Sequence, residues 1–304
     1  MNKKVKSRVE YILFISLIKF LKLFPYKIIL VIVRQLAVFV GMVIGIRREV
    51  ARKQLKRVFR DKSDKEINVL LKEMYFQFGW NACETFFADP EELLRSIEFV
   101  GKENIEDALA KKKGVILAGA HIGNFELGAR FMASIYPSAG VGKTQRNGMF
   151  DEYTNRLRRE ANIEIIDMNS APKVIFKRLK QNFLVGLLMD QNAGKRGVLT
   201  DFLGYPASTF VGSAKFAIKT GCPIVVAVII RNKDGKHTAY AEKPIFSDQF
   251  SNDPSSVQEL TELISKQIEK YILEYPAQWF WVHKRWKGAK KAKGYNNLSE
   301  KSDK

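Results

Sequence analysis

Apolar positions crowd the first fifty residues and then settle into two shorter rhythms. Tyr11 to Phe24 is apolar apart from positions such as Lys19 and Lys22, and Ile28 to Ile46 is broken only by Arg34 and Gln35. Pro25 separates the two runs. A helix that crosses a bilayer needs roughly 20 mostly apolar residues. The second run sits at that threshold, and the first is too short to cross comfortably. Basic segments flank the region on both sides, "NKKVKSR" before it and "RREVARKQLKRVFR" after it. Basic flanks stay on the cytoplasmic side, so a segment lying in the interface, or dipping in without crossing, suits both ends better than one crossing. A pair of helices buried in a soluble core is the alternative. A secretory signal is disfavoured, because the apolar stretch is long and lacks a small-residue cleavage site.

Beyond residue 60 the pattern changes. "DKSDKEINVLLKEMYFQFGWNACETFF" has helical periodicity and a cap near Ser63 or Asp64, and "DPEELLRSI" opens a short helix. From about Ile97, short β-branched runs alternate with helical stretches. "GVILAGA" is followed by "NFELGARFMASIY", and "AGVGK" by "MFDEYTNRLRREAN". "IEIID", "APKVIFKRLKQ" and "LVGLLMD" come next, then "GSAKFAIKTG", "PIVVAVII", "HTAYAEKPI" and a last helix, "SSVQELTELISKQIEKYILEY". Such alternation predicts an α/β fold with a mainly parallel central sheet flanked by helices, preceded by an apolar membrane-associated helical segment. The predicted divisions are 1–60 for the apolar helices and basic flank, 61–288 for the α/β domain, and 289–304 for a polar, disordered tail.

Composition narrows the partners. The chain has 304 residues, 46% hydrophobic and 12% aromatic, which is enough for a folded core. Lys and Arg number 51 against 32 acidic residues, giving a formal charge of +19. That excess favours anionic partners: acidic lipid, an acidic protein or nucleic acid. Cys83 and Cys222 stand alone, in keeping with a reduced, cytoplasm-facing body. The three histidines, His121, His237 and His283, are too far apart for a zinc motif.

Candidate chemistry gathers in "GAHIGNFELG". Ligand sites in open α/β sheets lie beyond the carboxyl ends of strands. His121 sits just past "GVILAGA", with a helix predicted to start near Gly123 or Asn124. On an ideal helix His121 and Glu126 would lie about 140° apart. With His121 in the loop and Glu126 in the first helical turn, the carboxylate can fold back toward the imidazole, and Gly123 permits the tight backbone. A carboxylate beside an imidazole fixes its tautomer and stabilises the imidazolium. The motif has no serine, so the nucleophile is the substrate's own hydroxyl and acyl transfer is the natural reaction. The competing reading makes Glu126 a helix cap and His121 an ordinary loop residue.

The order of three blocks adds to this. "AHIGNFELG", "GLLMDQNAGKRGVLTDFLGYPAST" and "YPAQWFWVHKRWK" resemble the blocks of the lauroyl/myristoyl acyltransferases of lipid A biosynthesis, within the glycerolipid acyltransferase superfamily. The resemblance covers roughly Ser63 to Lys287. It departs where Phe125 replaces the usual Trp and where Gln54-Leu55 replaces Asn-Leu. It implies His121 as general base oriented by Glu126, and no metal or bound organic cofactor. It also implies acyl carrier protein as donor, a lipid A precursor as acceptor, and a location at the cytoplasmic face of the inner membrane. Relatives with the same blocks acylate other glycolipids.

Several other residues are candidates. Arg146, Arg158 and Arg159 are suited to lipid phosphate or the carrier's phosphopantetheine, with a solvated basic helix face as the alternative, the better one for Arg159. Asp190 ends the strand "LVGLLMD" and is placed like a substrate-binding residue, though it could instead hold the following loop; the resemblance's Asp-Gln block adds Gln191 as a substrate-binding candidate. Gly204 and Pro206 shape a loop, and Thr209 and Ser213 cap the next helix. The aromatic patch around His283 and Arg285 suits a membrane interface or, for Trp279 and Trp281, packing. Two other functions compete: acylation of a lysophospholipid or another glycolipid with acyl coenzyme A or acyl carrier protein as donor, and a non-catalytic basic surface binding lipid or nucleic acid. No helix-turn-helix, RNA-recognition or zinc motif supports nucleic acid.

Overall fold

A computed structural model describes residues 3–168 and 170–287. The predicted tail 289–304 lies outside the described residues. Eleven α-helices and nine strands are formed among them. In chain order they are α1 (Lys3–Leu21), α2 (Tyr26–Val38), α3 (Arg48–Val58), α4 (Asp64–Phe87), α5 (Pro90–Arg95), β1 (Glu98–Val100), α6 (Lys102–Leu109), β2 (Val115–Gly119), α7 (Phe125–Ile135) and β3 (Ser138–Gly142). They continue as α8 (Gly148–Glu160), β4 (Ile163–Asp167), α9 (Ala171–Lys180), β5 (Leu184–Leu188), β6 (Val198–Phe202), β7 (Tyr205–Thr209), α10 (Gly212–Thr220), β8 (Ile224–Arg231), β9 (His237–Ala241) and α11 (Pro254–Glu274).

Seven strands form one sheet in the order β1-β9-β8-β2-β5-β3-β4. All neighbours are parallel except β8 and β9, which are joined by a tight connection and run antiparallel. The mainly parallel sheet is therefore as expected. Both of its faces are covered, which explains why its strands read as continuous apolar runs. Along β2, Ile116 and Ala118 face the core shared with α9, α10 and α11, while Val115 faces Ile105 of α6 and Phe131 of α7. The "VLTDFLGYPAST" stretch is a β6–β7 hairpin, not a loop. Thr209 belongs to β7, and α10 has no side-chain cap from Thr209 or Ser213.

The N-terminal helices are only half covered. α2 packs along α4 so closely that a Cβ on Gly79 would lie 2.7 Å from the Arg34 Cα. Arg34 is tolerated in this apolar helix because its guanidinium lies over the Phe76 and Trp80 rings, at 3.3 and 4.0 Å from their centroids. The other faces of α1 and α2 leave Leu13, Leu17, Val31 and Leu36 exposed, and Leu23 is exposed in the turn between them. The stretch Tyr26–Val43, which continues α2 through one π-helical turn, is long and apolar enough to cross a membrane. α4 begins with the predicted cap at Ser63, whose side chain and Glu66 form a reciprocal capping box.

Candidate active site

β2 and β5 run side by side in parallel, pairing Gly119 with Leu188. Two residues further along each strand stand His121 and Asp190. His121 Nδ1 lies 2.8 Å from Asp190 Oδ1, and the His121 backbone N–H donates to Oδ2 at 3.0 Å. The indole N–H of Trp279 donates to the same Oδ2 at 2.7 Å. Asp190 is buried, with its side chain 1% exposed, against 21% for His121. A carboxylate at Nδ1 leaves the proton there and turns the Nε2 lone pair outward. Gln191 Nε2 is 3.4 Å from that Nε2.

These contacts correct two expectations. The carboxylate hydrogen-bonded to His121 is Asp190, not Glu126. Asp190 itself is too buried to meet substrate, so it positions the imidazole. Glu126 does lie in the first turn of α7, but it faces α8 and pairs with Arg158, which donates from Nε to Oε2 at 3.0 Å and from Nη2 to Oε1. Its charge still reaches the imidazole. Burial would lower the His121 pKa, but the charge and hydrogen bond of Asp190, with Glu126 adding, raise it above its ordinary value. Burial works against the charge of Asp190 as well, yet His121 and Trp279 hold this carboxylate below its usual range, so it stays ionised at neutral pH.

The loop that carries His121 is clamped from two sides. The His121 carbonyl accepts from Phe280 N at 3.1 Å, and Gly123 N donates to Gln278 O at 3.0 Å. Asn81 Nδ2 donates to Gly123 O at 2.7 Å. Gly123 has φ of 58°, and a Cβ there would run into the Ile229 carbonyl. The helix starts one or two residues later than expected, at Phe125, because Asn124 is the cap and accepts from Leu127 N. Asn124 Nδ2 in turn donates to Glu84 Oε2 at 2.7 Å. Glu84 is buried with Arg231, which donates to it at 2.5 Å and to Asn81 Oδ1 at 2.8 Å. His237 Nε2 is 3.4 Å from the same Glu84 oxygen. Sequence reasoning missed Glu84, Asn81 and Arg231; their signal was polar residues at positions that the surrounding apolar pattern assigns to the interior.

His121 opens into a cavity of about 510 Å³ that Lys143, Leu188, Gln191, Arg196 and His283 help to line. His283 accepts from Asn192 N through Nε2 at 3.1 Å. Burial leads the causes that push its pKa down, so it is neutral at pH 7. A smaller cavity of about 100 Å³ has a nearly all-apolar wall that includes Phe125, Gly128, Met132 and Ile229, and Leu187 and Leu188 line both cavities. Arg285 is fully buried, its guanidinium over the Phe202 ring and bonded to Ser208 O and Thr209 Oγ1. Arg146 and Arg159 are exposed, and Arg159 pairs with Glu152. Neither lines the cavity. Of the predicted site, the fold brings together His121, Asp190 and Gln191, with Glu126 and Arg158 as a neighbouring ion pair.

The family model for the bacterial lipid A biosynthesis acyltransferases matches residues 2–288. The chain belongs to that family. This acyltransferase is 27% identical over 246 residues to the lipid A biosynthesis lauroyltransferase of Escherichia coli (strain K12), covering 79% of each chain. It is 23% identical over 270 residues to the palmitoleoyltransferase of the same organism, covering 86% of each. It is also 25% identical over 202 residues to a phosphatidylinositol mannoside acyltransferase of Mycobacterium tuberculosis, covering 61% of this chain and 58% of that one. Among solved structures, the 1-acyl-sn-glycerophosphate acyltransferase of Thermotoga maritima matches with a TM-score of 0.41 and 16% identity, over 84% of this chain and 100% of that chain.

Proposed function

We propose that this acyltransferase moves a fatty acyl chain from acyl carrier protein to a hydroxyl of a lipid A precursor, with His121 as the general base. The observation that carries this reading is the orientation of the imidazole: Nδ1 is held by buried Asp190, and Nε2 faces the large cavity. In the reaction Nε2 takes the proton of the acceptor hydroxyl. The oxygen attacks the thioester carbonyl, a C–O bond forms and the C–S bond breaks. The departing thiolate takes the proton back from the imidazolium. Asp190 keeps the tautomer and stabilises the imidazolium. Glu126 adds negative charge nearby and holds Arg158 at the edge of the site. Gln191 reaches toward the reacting hydroxyl, and Arg146 and Arg159 belong to the outer basic surface. The small apolar cavity beside Leu188 is suited to the acyl chain.

The exposed apolar faces of α1 and α2 support attachment to a bilayer, with the basic α3 at headgroup depth and the α/β body on the cytoplasmic side. The inner membrane is the location that the acceptor and carrier require. Similarity to a phosphatidylinositol mannoside acyltransferase supports a second reading, in which the acceptor is another glycolipid. Purified protein in detergent, given acyl-loaded carrier and lipid A precursor, should yield a product heavier by one acyl chain. A product found only with a different glycolipid or a lysophospholipid would replace the acceptor, and a product found only with acyl coenzyme A would replace the donor.

A further inference from the structure

A second polar feature adjoins the C-terminal segment that also lines the catalytic cavity. Between α3 and residues 284–287 runs a groove of about 330 Å³. Lys53 and Arg57 line it from α3, and Lys284 and Lys287 from the C-terminal segment. All four are exposed, and none has an acidic partner among the described residues. The one carboxylate in the wall, Glu49, sits 3.7 Å from Arg48 Nε. Arg57 also lies over the Tyr205 and Trp286 rings, at 5.2 and 5.7 Å, which limits its freedom.

The two walls are fixed to one another. Gln54 of α3 donates to Trp281 O and to His283 O, and accepts from Arg285 N at 2.8 Å. Asn192, which follows Gln191, donates to Lys287 O at 3.3 Å. A fixed pair of cationic walls meets an anion at little cost in side-chain ordering. The groove and the catalytic cavity share the segment from His283 onward: His283 lines one and Lys284 lines the other. On its outer side, α3 follows directly on the exposed apolar residues Val43, Ile44 and Ile46.

We infer that this groove binds a phosphate group of the lipid acceptor while the hydroxyl of the same headgroup reaches His121 Nε2. The inference rests on the acceptor proposed above. Phosphate suits the place for three reasons. It offers several charged oxygens to Lys and Arg donors. A glycolipid embedded beside Val43–Ile46 presents its headgroup at the level of α3. Groove and cavity are lined by consecutive residues, Lys284 and His283, so a phosphate and a hydroxyl of one headgroup are the natural pair to occupy them. An acidic carrier protein could approach the same charges from water, and the test separates the two.

The test uses the full chain in detergent, with Lys53→Ala/Arg57→Ala and Lys284→Ala/Lys287→Ala. All four positions are surface-exposed, and thermal melts verify folding. Each pair should raise KM for the phosphorylated acceptor roughly tenfold, with kcat and the KM for acyl-loaded carrier unchanged. With an enzymatically dephosphorylated acceptor, wild type and variants should share one high KM. A rise in donor KM would overturn the inference in favour of carrier docking. An equal rise for both acceptors, or no rise, would also overturn it. So would loss of sedimentation with phosphatidylglycerol vesicles at unchanged acceptor KM. Absence of any product from wild type and glycolipid would instead overturn the acceptor assignment itself.

Discussion

Asp190→Asn is the sharpest perturbation of the catalytic proposal. The wild-type carboxylate accepts three hydrogen bonds, from His121 Nδ1, His121 N and Trp279 Nε1. An asparagine has the same shape but only one acceptor oxygen. Trp279 and the His121 backbone are fixed donors on Oδ2, so that oxygen stays where it is and the amide nitrogen replaces Oδ1. The NH₂ group then faces Nδ1 and requires a lone pair there. The ring proton moves to Nε2, where it blocks base catalysis. Loss of the charge-assisted bond alone costs about 1.5–3 kcal/mol, or roughly 10- to 150-fold in rate. The wrong tautomer brings the expected total to about 10³–10⁴-fold, as for the equivalent change in Ser-His-Asp enzymes. The assay is single-turnover acyl transfer across pH. In wild type the rate should climb as the imidazole loses its proton, with a midpoint above the ordinary 6.5 because Asp190 and Glu126 outweigh burial. In Asp190→Asn the residual rate should have its midpoint at lower pH. A variant that folds and keeps a rate within about tenfold of wild type, with an unshifted midpoint, would refute the reasoning.

Other perturbations separate the remaining roles. Glu126→Gln and Arg158→Met remove two ends of one ion pair, so their rate losses should be similar and the double variant no worse than either; additive losses in the cycle would show independent roles. Glu84→Ala leaves Arg231 buried without its carboxylate and should cost about 3–5 kcal/mol in denaturant unfolding; a loss below about 1 kcal/mol would contradict the network described. Gly128→Leu places a side chain against Ile229 in the small apolar cavity and should shift product mass toward shorter acyl chains; an unchanged profile would move the acyl seat elsewhere. Stability should respond to the same titration with the opposite sign to activity. The raised His121 pKa stabilises the fold fully below its unfolded value near 6.5, and that contribution is lost as pH rises through the folded value. Asp190→Asn should flatten this slope in melting curves.

The sheet was legible because buried parallel strands are continuous apolar runs, and "GVILAGA", "LVGLLMD" and "PIVVAVII" are such runs. The β6–β7 hairpin was not, since Gly204 in its turn and Pro206, one residue into β7 and paired with Asp201, both carry loop chemistry. His121 could be found from its place beyond a strand. Its partner could not be found by local spacing, because hydrogen-bonded neighbours in a parallel sheet are distant in the chain. Position 190 comes to 121 through the β2–β5 register. Glu126, nearer in sequence, is turned away by the helix that begins between them. Trp279 and Gln278 likewise reach the His121 loop only through an antiparallel bridge from the C-terminal segment.

The most direct test of the central claim is acyl transfer by His121→Ala, measured by product mass with acyl-loaded carrier and lipid A precursor. With folding verified by its melting curve, the variant should lose at least about a thousandfold in rate, while acceptor KM changes little. A variant that transfers the chain at the wild-type rate would show that some other group takes the hydroxyl proton.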